Sequence, residues 1–251
     1  MRRPPFALPL LAALCGACGG GVPILMYHSV GPGGETLTVL PAELDGHLDF
    51  LARAGFTTVT LHEMLEAQQG RGELPKHPVV LTFDDGYQDA FTEVLPRLQA
   101  RGQRATFFIV SGFTAEDEAT RVAAGRHSYL AWPEVRALGA AGMEIGSHTI
   151  HHGKLTTLGR HELRAEVVES KAALEHGLGQ PVEFFAYPFN EQCRPVRLMV
   201  EKAGYRGAVV GAHGNAEAFT LQRLTMHRGI SPDDLRSMLA ETWQTAYTEG
   251  G

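Results

Sequence analysis

Two short runs hold the residues best suited to chemistry. Thr82-Phe83-Asp84-Asp85-Gly86-Tyr87 sets adjacent aspartates at the end of an apolar stretch. The glycine after them permits a tight turn. Asp-Gly alone is an ordinary turn signal. Ser147-His148-Thr149-Ile150-His151-His152 is the second run. His148 and His152 are four apart, so one helical turn would bring both rings to one side. A histidine cluster alone is often just a solvated loop. Together the runs offer more. Two imidazoles and one carboxylate make three protein ligands and leave a position for water or substrate, as in a catalytic zinc site. The aspartate not held by the metal is then free to act as a general base. The same ligand set serves iron(II) oxygenases, but those sites need no free carboxylate beside the metal.

Elements that could position these runs alternate along the chain. Apolar stretches at 22–27, 56–60, 78–83, 104–110, 143–147, 183–187 and 205–210 read as strands, and 219–226 as one more. Between them, 41–54, 61–69, 88–100, 132–141, 160–176, 195–203 and 232–243 read as helices, several opened by proline and closed by glycine. Repeated strand–helix units imply a parallel sheet with helices outside it. The fold class expected is α/β: a distorted (β/α) barrel with mostly parallel strands, closed or incomplete. An open doubly wound sheet is the alternative, but no glycine-rich dinucleotide fingerprint follows the first strand. Both chemical runs follow strands, where parallel barrels place their active sites. The longest loop, 111–129, is polar and suits the rim of a cleft.

These residues resemble the polysaccharide deacetylase family, also called carbohydrate esterase family 4. The resemblance runs through Pro23-Ile24-Leu25-Met26-Tyr27-His28, Val79–Tyr87, Arg104–Val110, Gly142–Leu155 and Phe185–Phe189. It implies that Asp84 is the general base, and that Asp85, His148 and His152 bind a divalent metal, zinc above others. His151 stands next to this set and leaves an ambiguity. The resemblance further implies an oxyanion contact from the backbone N–H of Phe189 in Ala186-Tyr187-Pro188-Phe189-Asn190. Tyr187 is a substrate-side candidate or plain core. Many relatives carry arginine where this chain has Ala186, to orient the base, so that role has no holder here. Many carry glycine at Asn190, and Asn tolerates the same left-handed backbone. The general acid maps to His227 in Leu224-Thr225-Met226-His227, flanked by Arg223 and Arg228. His28, ending the first strand, is a further contact at the barrel mouth.

The function expected is metal-dependent hydrolysis of N-acetyl or O-acetyl groups on a carbohydrate polymer, most simply an N-acetylglucosamine-containing glycan. A related amidase and a glycan-binding module with a decayed site are the alternatives. The chain has 251 residues, 44% hydrophobic and 20% charged, with net charge −6. That suits one domain, and the absence of a basic face argues against a nucleic-acid partner. Arg2 and Arg3, an apolar run and small residues up to Gly21 form an export pattern. The expected division is therefore 1–21 as an export signal and 22–251 as the catalytic domain. The destination expected is the periplasm or cell envelope. Leu14-Cys15-Gly16-Ala17-Cys18 also resembles a lipoprotein box, with a membrane tether through lipidated Cys18. Of three cysteines only Cys193 lies in the body, so no internal disulfide is available. It reads as a structural thiol. Oligomeric state is not legible.

Overall fold

The computed structural model describes residues 21–125 and 127–248. The export and lipidation readings, with Cys15 and Cys18, fall outside them. Among the described residues no helix is long and apolar enough to cross a membrane.

Nine strands make the main sheet: β1 Ile24–Tyr27, β2 Thr57–Val59, β3 Pro78–Phe83, β4 Thr106–Ile109, β5 Glu144–Ser147, β6 Phe184–Ala186, β7 Gly207–Val210, β8 Leu221–Gln222 and β9 Leu224–Thr225. Every pairing within it is parallel. The order is β8-β7-β6-β5-β4-β3-β1-β9, with β2 on the start of β3. β8 and β9 are consecutive, with Arg223 alone between them. β8 pairs with β7, and β9 with β1. One extended segment thus ties the two ends of the sheet together and closes the barrel. The single strand expected over 219–226 divides here because it changes partner.

Alternation along the strands sorts side chains into two cores. Leu25, Tyr27, Leu81, Phe83, Phe107, Phe185 and Val210 pack outward with helix residues such as Leu44, Leu48, Val135 and Val196. Ile24, Val80, Phe108, Phe184, Ala186, Val209 and Leu221 point inward and fill the barrel. Each fully buried side chain of this kind contributes about 1.5–3 kcal/mol. Gly146 on β5 is required by this filling: a Cβ there would lie 2.4 Å from the Phe108 ring.

The N-terminal end of the barrel is plugged by α2 (Leu61–Gln68), whose Leu61, Met64 and Leu65 join the inner core. Glu144 at the start of β5 holds that plug. Its two oxygens accept the Leu61 and His62 N–H groups, each at 3.0 Å, where the helix dipole favours a carboxylate. The opposite end is left for chemistry. Outside the barrel, α1 (Pro41–Arg53), α4 (Trp132–Ala140) and α7 (Arg194–Lys202) match the sequence reading closely. Two expected helices carry a π turn. Ala90–Val94 precedes α3 (Leu95–Ala100), and Ala165–Glu169 separates α5 (Arg160–Arg164) from α6 (Ser170–Leu178). α8 (Pro232–Thr248) closes the described chain.

Candidate metal centre and active site

Asp84 and Asp85 leave the C-terminal end of β3 in the expected turn. The Asp84 N–H still pairs with the Tyr27 carbonyl at 3.0 Å. Asp85 then turns left-handed at φ 74°, and Gly86 follows at 71°. This reversal sends the two carboxylates different ways.

Asp85 faces His148 and His152. Its Oδ1 lies 3.3 Å from His148 Nε2 and 3.2 Å from His152 Nε2. One ligand atom from each residue fits within 4.8 Å of the others. The His148 Nδ1–H donates to the Ala186 carbonyl at 2.8 Å. A neutral ring so held turns a bare lone pair at Nε2 toward Asp85. Consistent with this, Asp85 Oδ1 is buried without a hydrogen-bond partner. Two imidazole nitrogens and a carboxylate oxygen converge, a donor set that suits a divalent cation. Ligand atoms about 2.0–2.2 Å from one tetrahedral ion stand roughly 3.3 Å apart, and Asp85 Oδ1 stands at that spacing from each imidazole nitrogen. The residues therefore fit a divalent metal.

The loop that carries the histidines is not the helical turn expected from their spacing. Thr149 and His152 are both left-handed, at φ 71° and 55°, and the His152 N–H donates to Thr149 Oγ1 at 2.9 Å. Non-glycine residues reach this region at a cost of about 1–3 kcal/mol each. His151 lies apart from the Asp85, His148 and His152 group. Its ring is exposed and its Nδ1 pairs with Glu166 at 2.7 Å, away from Asp85.

Asp84 is held by a different partner. Arg223, at the β8–β9 changeover, donates from both terminal nitrogens to both Asp84 oxygens at 2.7 Å. It also donates to Thr82 Oγ1 at 3.1 Å and to the Val210 carbonyl at 3.2 Å. Both side chains are almost wholly buried, 0% and 3% exposed. Burial pushes the Asp84 carboxyl up, but the Arg223 charge and hydrogen bonds outweigh it and hold the carboxyl below its usual range. An arginine thus reaches Asp84 from a strand other than the one that carries Ala186. Sequence reading named Arg223 only as a neighbour of His227. Its parity was the available signal, since it lies two residues after the inward-facing Leu221.

A family model described as polysaccharide deacetylase matches residues 71–208, more than half of the chain. The chain belongs to the polysaccharide deacetylase family. Its hydrolase class follows from that membership. YxkH of Bacillus subtilis (strain 168) is 28% identical over 214 residues, 84% of this chain and 73% of YxkH. The poly-beta-1,6-N-acetyl-D-glucosamine N-deacetylase of Escherichia coli (strain K12) is 32% identical over 125 residues, 47% of this chain and 19% of that protein. Among solved structures, the Streptococcus pyogenes deacetylase PplD superposes with a TM-score of 0.78 at 23% identity. That match covers 88% of this chain and 98% of PplD, and it shares the barrel.

The remaining family positions fall out unequally. His28 stands beside the site. Its Nδ1 is buried without a partner. Burial draws its imidazole below the usual range, opposed by Asp84 and Asp85. His227, the expected acid, is exposed, and its Nδ1 is hydrogen-bonded to the Arg228 carbonyl at 2.8 Å. The charges that act most on Asp84 are those of Arg223, His148 and His28. The Tyr187 side chain is core rather than substrate-facing. It is 1% exposed in the outer cluster, and its hydroxyl donates to the Phe219 carbonyl at 3.1 Å. Phe189 behaves otherwise. It is 52% exposed, left-handed at φ 58°, and its ring centroid lies 4.8 Å from that of His152. Asn190 shares the left-handed backbone, at φ 58°. On the other flank, Tyr87 stacks on His127 at 4.3 Å. That histidine lines a cleft of about 450 Å³ with Ser29, Glu35, Asp89 and Ser128. The long loop does rim a cleft.

Proposed function

We propose that the chain hydrolyses N-acetyl groups on an N-acetylglucosamine-containing glycan, using a metal centre of Asp85, His148 and His152 and Asp84 as base. The observation that carries this is the division of labour between adjacent aspartates. One faces the Nε2 atoms of two imidazoles. The other is locked, ionised, on a buried arginine. A decayed site would have no reason to keep either arrangement. The E. coli relative's named activity supports the choice of polymer.

Two imidazoles and one carboxylate suit zinc, which when bound would polarise the amide carbonyl and acidify water. The protein's own groups do the rest. Asp84 accepts a proton from the attacking water as its oxygen bonds to the acyl carbon. The Phe189 N–H donates to the developing oxyanion. His28 is protonated before the step, a form favoured by the adjacent Asp84 and Asp85 charges. It gives that proton to the nitrogen as the C–N bond breaks, releasing acetate and a free amine. Asp84 then returns the proton taken from water to solvent. The exposed Phe189 ring offers an apolar face to the sugar beside the reacting group.

Assigning the acid to His28 gives an expected result. His28→Ala lowers kcat by about 10²–10⁴-fold, the usual worth of a placed acid or base. His227→Ala stays within about threefold, since its ring is exposed, hydrogen-bonded to the Arg228 carbonyl, and not among the charges that act most on Asp84. Steady-state assays of both variants decide between them.

The function itself is tested by acetate release from N-acetylglucosamine oligomers, with added zinc and with chelator. Release that stops on chelation and returns with zinc is expected. Zinc should also raise the melting temperature, by an amount equivalent to about 4 kcal/mol at roughly 1,000 times its Kd. Release unaffected by chelator would refute the metal-dependent reading. The proposal includes export, supported by the Arg2–Gly21 pattern. N-terminal sequencing of the mature protein checks it, and an intact Met1 would contradict it.

A further inference from the structure

We infer that Glu166 is the positioning residue that holds the His152 loop in its metal-binding shape. This rests on the metal centre proposed above. His148 needs no such help, because its N–H continues the strand pairing to the Ile109 carbonyl at 2.9 Å. Four residues later His152 has no strand to lean on. Between them the backbone passes through left-handed Thr149 and arrives left-handed at His152. Two such residues persist only where their surroundings over-determine them.

The surroundings here act from two sides. From the loop after β4, the Ser111 and Gly112 N–H groups donate to the Thr149 and Ile150 carbonyls, each at 3.0 Å. The approach is close enough that a Cβ on Gly112 would lie 2.4 Å from the Ile150 oxygen. From the helix side, one oxygen of Glu166 accepts both the Ile150 N–H at 2.9 Å and the His151 N–H at 3.0 Å. Its other oxygen meets His151 Nδ1 at 2.7 Å. Glu166 is 9% exposed and sits in the π turn 165–169. Such widened turns recur at functional sites. The carboxylate thus takes up two consecutive N–H groups immediately before the ligand. Without it those donors turn to water, and the loop is free to leave the left-handed conformation that aims His152 at Asp85.

Zinc affinity measured by competition with a chromogenic chelator tests this on the full chain. The variants are Glu166→Ala, Glu166→Gln, Glu166→Asp, His151→Ala and His152→Ala. Glu166→Ala should weaken zinc binding about 10–100-fold, the usual effect of losing a group that orients a ligand. Saturating zinc should restore most of its kcat. Glu166→Gln keeps an acceptor for both N–H groups and should recover most of the affinity. Glu166→Asp keeps the charge but draws it back by one methylene, so it should bind as poorly as alanine. Should Glu166→Ala fail to fold, the ranking of Gln above Asp carries the test. His151→Ala should bind nearly as wild type. If wild type binds zinc and His152→Ala does not, yet every Glu166 variant binds as wild type, the clamp is overturned and the metal centre stands. Asp binding better than Gln would also overturn it, since charge rather than reach would then matter. Wild type that binds no zinc would overturn the metal centre and the clamp together.

Discussion

Asp84→Asn is expected to leave zinc bound and to lower kcat by about 10²–10⁴-fold, the range for a lost general base. Asparagine keeps the shape of the side chain. It cannot accept a proton at neutral pH, and it is not a member of the Asp85, His148 and His152 group. The change also has a structural cost. Arg223 is 0% exposed and donates to both Asp84 oxygens. An amide offers it one oxygen and one repelling N–H₂. Breaking a buried pair from one side costs about 3–5 kcal/mol, so turnover should be normalised to folded, zinc-loaded protein. Metal content by elemental analysis, beside kcat, separates the roles. Loss of zinc together with activity would mean that Asp84 is a ligand. Asp85→Asn should show the converse, losing zinc first.

Replacing Arg223 should have the second-largest effect. Arg223→Met leaves the Asp84 carboxylate buried without its partner, again about 3–5 kcal/mol. At roughly 2–4 °C per kcal/mol for a chain of this size, the melting temperature falls by about 6–20 °C. Arg223→Lys should recover little, because one ammonium cannot match two parallel N–H···O bonds. The pH dependence has a definite sign. Arg223 holds the folded carboxyl of Asp84 below its ordinary value, against burial. The pair's stabilisation is therefore present above the ordinary carboxylate pKa and is lost as pH falls through the folded value. Without Arg223, burial is opposed only by the smaller His148 and His28 charges, and the Asp84 pKa rises. The acidic limb of kcat/KM should then move to higher pH. Thermal scans and a pH–rate profile of Arg223→Met and wild type, both at saturating zinc, measure the two effects. An unmoved melting temperature and acidic limb would show that the pair matters to neither stability nor the base.

The chemical runs were legible because both follow apolar strands, and parallel barrels gather strand ends at one mouth. The barrel was legible from the same alternation. What escaped the sequence was non-local. Arg223 supports Asp84 from the segment that joins the first and last strands, and nothing in Leu221–Thr225 says that it changes partner midway. The arginine was sought at Ala186, whose carbonyl instead orients His148. The four-residue spacing of His148 and His152 suggested a helical turn. Left-handed Thr149 and His152 reach the same convergence by another route, and neither residue type announces that backbone. Nothing in the 160–176 stretch singles out Glu166, because a π turn leaves no periodic mark over five residues.

The most direct test of the account is the fate of solvent oxygen. The zinc-loaded protein is incubated with N-acetylglucosamine oligomers in water enriched in the heavy isotope of oxygen. Acetate and glycan are then read by mass spectrometry. The account predicts one heavy oxygen in each acetate released, a free amine on the glycan, and about 10²–10⁴-fold slower formation of both by Asp84→Asn. Zinc-loaded wild type that releases no acetate, or acetate without the label, would contradict hydrolysis by water activated at Asp84.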